Sequence, residues 1–435
     1  MIPDEVTPIA LVLQEVAPLA EEFRRRKIPL YLVGGIVRDL DLGVVDSVSS
    51  ETDFDLTTPA TPDEVLEIVG PVADDVWSQG RRFGTIGCRI AGRAYEITTH
   101  RADSYSADSR KPEVSFGDNI EDDLARRDFT INAMAIRLPD GLRVDPFDGV
   151  GALSRRVLVT PIDPRVSFVD DPLRLLRAAR FMARLDLFVV PELVDAAKSE
   201  IARLSIVSVE RVRDELDKLL SLERPSSGID FLLEIEALQE RFPLVEWDVV
   251  GSLGVALDAV PIGEGQRVLD VRRLVFFAMA SDVSSVDLVS PLKYSNDEVS
   301  AIRSQLRCRD LIRQLAADGV GSDRPVTNAH LRRLVDVVGV TALSMVFDVV
   351  AMISPEITLD AFRTRFNALA DVEDLTSFAP TLSGGELIEE FGFEPGPIVG
   401  KAVAALRERR IEVGPATAAE EVAFVGVWLD HNGAR

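Results

Sequence analysis

The sequence predicts an α+β protein, a mixed strand-and-helix head followed by helices almost to the end, and three observations carry that expectation. Short runs rich in β-branched and aromatic residues alternate with helical segments as far as about Gly151. From about Asp170 the apolar period is helical, interrupted at Pro191, Pro225, Pro243, Pro291, Pro325, Pro355, Pro380 and Pro395. A length of 435 residues with 46% apolar side chains suits the cores of more than one domain.

In chain order, an amphipathic helix over Pro8 to Arg26 leads into an apolar strand over Ile28 to Val33. Further strands are expected at Phe54–Leu56, Thr85–Arg89, Tyr95–Thr99 and Met134–Arg137, where the period switches to two. Asp170-Asp171-Pro172 is a helix start, with Asp171 as N-cap and Pro172 in the first turn. The longest uncharged apolar run, Val337 to Phe347, is closed off by Asp336 and Asp348 and is too short to span a bilayer. The opening Met-Ile-Pro-Asp-Glu lacks the basic and apolar regions of a signal peptide, so a cytoplasmic location is expected. Two cysteines, Cys88 and Cys308, are too few for a disulfide framework or a cysteine-rich zinc site.

Net charge is −24, which by itself argues against a polyanionic partner. The distribution qualifies that: residues 151–224 carry 13 basic and 12 acidic side chains, a near-neutral band inside an acidic chain. Only six of the 48 basic residues are Lys. Arginine is the better bidentate phosphate ligand, although a compositional bias explains the same fact.

Three constellations carry chemistry. In Gly34-Gly35-Ile-Val-Arg38-Asp39 two glycines let the backbone approach a phosphate closely while a guanidinium holds it. The next strand, Asp53-Phe54-Asp55, places both carboxylates on one face and Phe54 on the core side, an arrangement suited to a hard cation such as Mg²⁺. A bare Asp-x-Asp is more often a solvated strand face; the upstream glycines and Arg38 reverse that preference. Glu96, on another head strand, is the candidate third acid. Together these groups suit in-line attack of an RNA 3′-hydroxyl on a nucleotide α-phosphate.

The second constellation is Asp122-Asp123-Leu-Ala-Arg126-Arg127-Asp128-Phe-Thr-Ile-Asn132, in which Arg127 is placed to hold a triphosphate or a ribose, with Asp128 and Asn132 fixing its orientation. An exposed salt-bridged turn is the plainer alternative. The third runs from Asp171 through Arg174, Arg177, Arg180 and Arg184, a basic stripe on a helix whose other face (Leu175, Leu176, Ala179, Met182, Ala183) is apolar. Asp171 and Arg174 stand one helical turn apart. A carboxylate that accepts beside a guanidinium that donates matches the amine and ring nitrogen of cytosine or adenine, and leaves uracil or guanine unpaired.

These motifs resemble the class II tRNA nucleotidyltransferases and bacterial poly(A) polymerases. The resemblance rests on Gly34 to Asp39, Asp53-x-Asp55, Arg126 to Ala133, Asp145-Pro-Phe-Asp-Gly149, the segment from Asp170, and Ser208-Val-Glu210-Arg211-Val-Arg-Asp-Glu215; a weaker match returns at Leu382 to Ile388 and Pro395 to Gly400. It implies a polymerase-beta-like nucleotidyltransferase head over 1–150, a base-recognising helical neck over 151–224, a helical body over 225–310 and a tRNA-binding tail over 311–435. It implies that Gly34, Gly35, Arg38, Arg127, Asp171, Arg174, Arg177 and Arg180 bind ATP or CTP, that Asp53 and Asp55 bind Mg²⁺, and that Asp103 to Asp118 is the loop that helps switch from C to A. Glu210 and Arg211 look like stabilisers of the neck.

The implied activity is addition of C, C and A to tRNA 3′ ends. The head motifs are shared with CC-only and A-only enzymes and with poly(A) polymerases. A catalytically silent RNA-binding protein is the reading from another class, and the retained acids and arginines speak against it. Where many relatives have Glu-Asp, this chain has Asp170-Asp171. Its three histidines, His100, His330 and His431, are not followed by Asp, so the segment from Val271 to Asp282 looks like an HD-type body without its metal ligands.

Overall fold

Alternation of buried and exposed side chains builds the sheet that carries the candidate site. The computed structural model describes residues 7–45, 54–101, 116–250, 252–261, 266–282 and 287–431. The chain divides into two units, Met1–Pro243 and Leu244–Arg435.

The first unit opens with α1 (Pro8–Arg25), followed by β1 (Leu30–Val33), α2 (Gly35–Asp41), β2 (Asp55–Thr58), α3 (Pro62–Val69), β3 (Asp75–Trp77), β4 (Thr85–Ile90) and β5 (Arg93–Thr99). After α4 (Ile120–Ala125) come β6 (Ala135–Leu138), β7 (Arg143–Val144) and α5 (Gly149–Arg155). Among the described residues these strands form one sheet in the order β3-β4-β5-β2-β1-β6-β7, with β2 and β5 parallel and the other neighbours antiparallel. The strand expected from Ile28 begins at Leu30, because Lys27 turns at φ 62° and the Ile28 N–H closes the end of α1 on the Phe23 carbonyl. Strands β3 and β7 lie at the sheet edges and are two or three residues long, too short to register as periodic runs.

Val12, Val16, Leu19 and Phe23 of α1 and Val65 and Ile68 of α3 bury against Leu32, Phe54, Leu56, Ile86, Cys88 and Ile97 on one sheet face. The capping box of Thr61 with Glu64 fixes the start of α3. With the apolar partners on that face, Asp55 and Glu96 emerge on the other, exposed and opposite each other in register.

The chain continues through β8 (Val157–Leu158), α6 (Pro164–Asp170), α7 (Arg174–Leu185), β9 (Phe188–Val189), α8 (Pro191–Glu200), α9 (Val209–Leu220), α10 (Ser226–Glu234) and α11 (Ala237–Arg241). Helix α7 begins at Arg174, later than the Pro172 start that the sequence suggests. Its entry is a tight turn of 3₁₀ type, in which the N–H groups of Arg174 and Leu175 reach the carbonyls of Asp171 and Pro172. Asp171 is therefore not the N-cap: Leu173 takes that place without a side-chain capping bond, and Asp171 closes the local turn instead, accepting the Leu173 N–H at 3.2 Å. Leu175, Ala178, Ala179 and Phe181 are buried. Helix α10 crosses α7 so closely that a Cβ on Gly228 would stand 2.6 Å from the Ala179 carbonyl oxygen. This close packing keeps residues 225–243 in the first unit, whereas the sequence suggests that the body begins at 225.

The second unit is helical: α12 (Leu253–Asp258), α13 (Gln266–Ser281), α14 (Asn296–Ala317), α15 (Asn328–Val338), α16 (Val340–Ile353), α17 (Asp360–Ala370), α18 (Gly384–Phe391), α19 (Pro397–Glu412) and α20 (Ala418–His431). Ser295, Thr327 and Ser383 close capping boxes at three of its helix starts. A buried Arg332–Glu373 pair, joined by Arg410, ties α15 to α19. No single helix among the described residues is long and apolar enough to cross a membrane; α15 and α16 reach that length only together and are bent by 102° at their junction.

Candidate functional site

The free face of the head sheet and the start of α7 enclose a cleft of ≈ 400 Å³ within the first unit, lined by Gly34, Gly35, Arg38, Asp55, Arg127, Asp128, Asn132, Asp171, Arg174, Arg177, Phe181 and Arg184. Five arginines against three aspartates make it a local cationic site in an acidic chain. Two bare glycines open one wall. Gly34 sits at φ 77°, and a Cβ there would lie 3.4 Å from both Arg127 Nη1 and Asp55 Oδ2. The residue that turns β1 into α2 is therefore where a cation and a carboxylate converge.

Behind the wall the polar side chains form one chain of hydrogen bonds. Arg38 is 3% exposed; its Nη1 donates to Asn132 Oδ1 at 2.6 Å and its Nε to Asp39 at 2.8 Å. Asn132 Nδ2 donates to Asp128 Oδ1 at 3.0 Å, and Asp128 Oδ2 accepts from Arg177 Nε and Nη2 at 2.8 and 2.5 Å. Arg177 also lies 3.6 Å from Glu215, which accepts from Arg180 Nε at 2.7 Å. Arg184, 3.4 Å from Asp39, closes the other end. Phe181 sits among the cations, with Arg180, Arg38 and Arg177 at 4.4, 5.4 and 5.5 Å from its ring centre.

Charge states follow from this network. Burial pushes the Asp128 carboxyl up, but the charge of Arg177 and hydrogen bonds from Asn132, Arg177 and the Phe129 N–H outweigh it and hold the group below its usual range. Burial likewise opposes ionisation of Glu215, and Arg180 ahead of Arg177 and Lys218 overcomes it, again lowering the pKa. Burial of Arg38 lowers its pKa despite Asp39. Around Asp171 the partners are local: Arg211 donates to Oδ2 at 3.2 Å, while Arg174 donates to Ser167 Oγ at 2.6 Å and to the Arg126 carbonyl.

The structure thus brings Gly34, Gly35, Arg38, Asp55, Arg127, Asp171, Arg174 and Arg177 to one cleft. It sets two expected residues apart from that lining. Arg180, 9% exposed, turns behind the cleft onto Glu215, and Glu96 is in register with Asp55 on the neighbouring strand. Asp53 and residues 103–115 lie outside the described residues. Phe181 and Arg184 join the lining without having been singled out as ligands. Their signal was available in the sequence: Arg184 extends the basic stripe, and an aromatic inside such a stripe has cations to stack with.

A divalent cation would need hard oxygen donors. Asp55 presents a carboxylate to the cleft and Glu96 stands beside it, so the donor chemistry fits Mg²⁺. Among the described residues no three potential ligands gather closely enough to hold an ion.

A mixed sheet presenting acids beside an arginine-lined cleft, with a helical neck behind it, defines a nucleotidyltransferase-type head. Residues 30–159 match the family described as Poly A polymerase head domain, and residues 186–248 match that described as Probable RNA and SrmB- binding site of polymerase A. The CCA-adding enzyme of Limosilactobacillus fermentum is 29% identical over 91% of this chain and 92% of its own length. That of Geobacillus stearothermophilus is 38% identical over 51% of this chain and 52% of its own. The fold is similar to that of the Bacillus stearothermophilus CCA-adding enzyme solved with CTP (24% identity, TM-score 0.71, covering 100% of this chain and 99% of that one). It is also similar to that of the Thermotoga maritima enzyme complexed with tRNA (22%, 0.62, covering 96% and 95%). Over residues 30–159 and 186–248 the chain is similar to poly(A) polymerases, and over most of its length to a CCA-adding enzyme.

Proposed function

We propose that this chain is a template-independent tRNA nucleotidyltransferase that adds C, C and A to tRNA 3′ ends from CTP and ATP, releasing pyrophosphate, in the cytoplasm. The observation that carries the reading is the convergence of Asp55, the bare Gly34 backbone and the arginine cluster in one cleft. Relatives that are named CCA-adding enzymes support the choice of reaction.

In this reading Arg38, Arg127 and Arg177 hold the triphosphate, and the Asp128–Asn132 links keep the first and last of them at fixed angles. Asp171 accepts from the exocyclic amine of cytosine or adenine while Arg174 donates to the ring nitrogen, each held in place by Arg211, Ser167 and the Arg126 carbonyl. Phe181 provides an apolar floor. Mg²⁺ held by Asp53 and Asp55 would supply the charge that activates the 3′-hydroxyl and neutralises the leaving pyrophosphate. Glu96, in register with Asp55 on the neighbouring strand, is the third acid of that site. Arg180 acts through Glu215 as a positioning residue for Arg177.

The test is incorporation of labelled CTP and ATP, separately and together, into tRNA transcripts ending before CCA, after C and after CC, with Mg²⁺. C addition to the first two and a single A on the third is expected. Addition of one nucleotide type only would identify a split-function enzyme, long A tails a poly(A) polymerase, and no addition a binding protein.

A further inference from the structure

Four strands of the head place four residues in one cross-strand row. Trp77 on β3 pairs with Gly87 on β4, Gly87 with Glu96 on β5, and Glu96 with Asp55 on β2. Cross-strand partners share a sheet face. Ile86, Cys88, Tyr95, Ile97, Phe54 and Leu56 all face the opposite way into the core. The row therefore begins at the catalytic acid and ends at an indole.

Gly87 is the unusual member. Glycine inside a paired strand weakens it and marks a place where another group comes close. Here the group is Trp77: a Cβ on Gly87 would fall 1.9 Å from Nε1 and 2.0 Å from Cε2 of the indole. The five-membered ring thus fills the space of the missing side chain and leans inward along the row toward Glu96. Trp77 remains half-buried rather than sealed in.

We infer that Trp77 is a stacking platform for the terminal base of the RNA primer. The inference rests on the proposed reaction. Strands lie about 4.8 Å apart, so the ring over Gly87 stands about 10 Å from the Asp55 backbone, two strand spacings, a gap that one nucleotide bridges when its base stacks on the ring and the Asp55 side chain reaches toward its 3′-hydroxyl. An enzyme adding C, C and A meets a different 3′ base at each step. Hydrogen-bond recognition of one base would reject the next, whereas an aromatic face accepts every base because each has a π-face. The cleft lined by Arg38 and Asp171 is the site for the incoming nucleotide, and the row leads away from it on the same sheet face.

The experiment compares wild type, Trp77→Ala, Trp77→Phe and Gly87→Ala. The last displaces the ring without deleting it. Steady-state KM is measured for a CC-ending tRNA transcript and for ATP, alongside Tm and anisotropy of a labelled CC-ending single-stranded RNA oligonucleotide. The expected result is a rise of about five- to tenfold in primer KM for Trp77→Ala and Gly87→Ala, the lower end of per-base stacking, with ATP KM unchanged and Trp77→Phe close to wild type. A lower Tm with unchanged primer KM would mean that the indole only seals the sheet edge, and would overturn the inference. Absence of incorporation by wild type would overturn the parent reading instead. Oligonucleotide binding then decides the platform: loss in Trp77→Ala with retention in Trp77→Phe supports it, and equal binding by all four proteins refutes it.

Discussion

Arg177 on α7 grips Asp128 with two N–H groups, at 2.8 and 2.5 Å to one carboxylate oxygen, and so joins the arginine-lined cleft to the helix behind it. Asp128 is 8% exposed. Removing one member of such a pair leaves the other's charge poorly solvated. Asp128→Ala is expected to cost about 3 kcal/mol in urea unfolding and to raise ATP KM. Asp128→Asn, which keeps the shape, should cost less.

Glu215 is 3% exposed and receives Arg180, Lys218 and, at longer range, Arg177. Arg180→Ala should therefore lower stability by about 3 kcal/mol, with a smaller effect on ATP binding than Arg177→Ala. A double-mutant cycle with Glu215→Ala checks the origin: the double variant should be more stable than the sum of the single losses. Strict additivity would show that the pair does not act as a unit.

Asp128 and Glu215 also predict acid sensitivity. Their ordinary pKa values are 3.8 and 4.5, and both are lowered in the folded protein. The unfolded chain then binds more protons as pH falls, so the stabilisation is complete above those ordinary values and is lost as pH drops through the lowered ones. The urea midpoint of the wild type should fall more steeply below about pH 4.5 than that of an Asp128→Asn/Glu215→Gln variant.

At Gly34 the left-handed backbone and the 3.4 Å approach of Asp55 and Arg127 act together. Gly34→Ala is expected to cost about 1–2 kcal/mol of stability from the backbone alone. Incorporation should fall further than that if the proposed site is right, because the methyl group intrudes on the cleft between Asp55 and Arg127. Activity equal to wild type would place the phosphates elsewhere.

Asp55→Ala should abolish nucleotide incorporation while tRNA binding measured by filter retention survives, since the substitution falls at an exposed position of the sheet. Appreciable activity would remove Asp55 from the chemistry.

Local pattern alone determined much of this protein. Period-two runs at Phe54–Leu56 and Tyr95–Thr99 became strands because alternate residues there fill the core, which fixes Asp55 and Glu96 on the free face. Spacing on α7 likewise fixed a basic stripe, since residues three and four apart share a helix face. The sequence could not say which arginines meet a ligand. Arg177 and Arg180 are three residues apart with identical chemistry, yet one lines the cleft and the other turns to Glu215, a partner 35 residues away that only the packing of α9 on α7 brings within reach. The row from Trp77 to Asp55 was equally hidden, because strand register and order join residues that share no local pattern. Periodicity reports which face a residue occupies; long-range packing decides what that face meets.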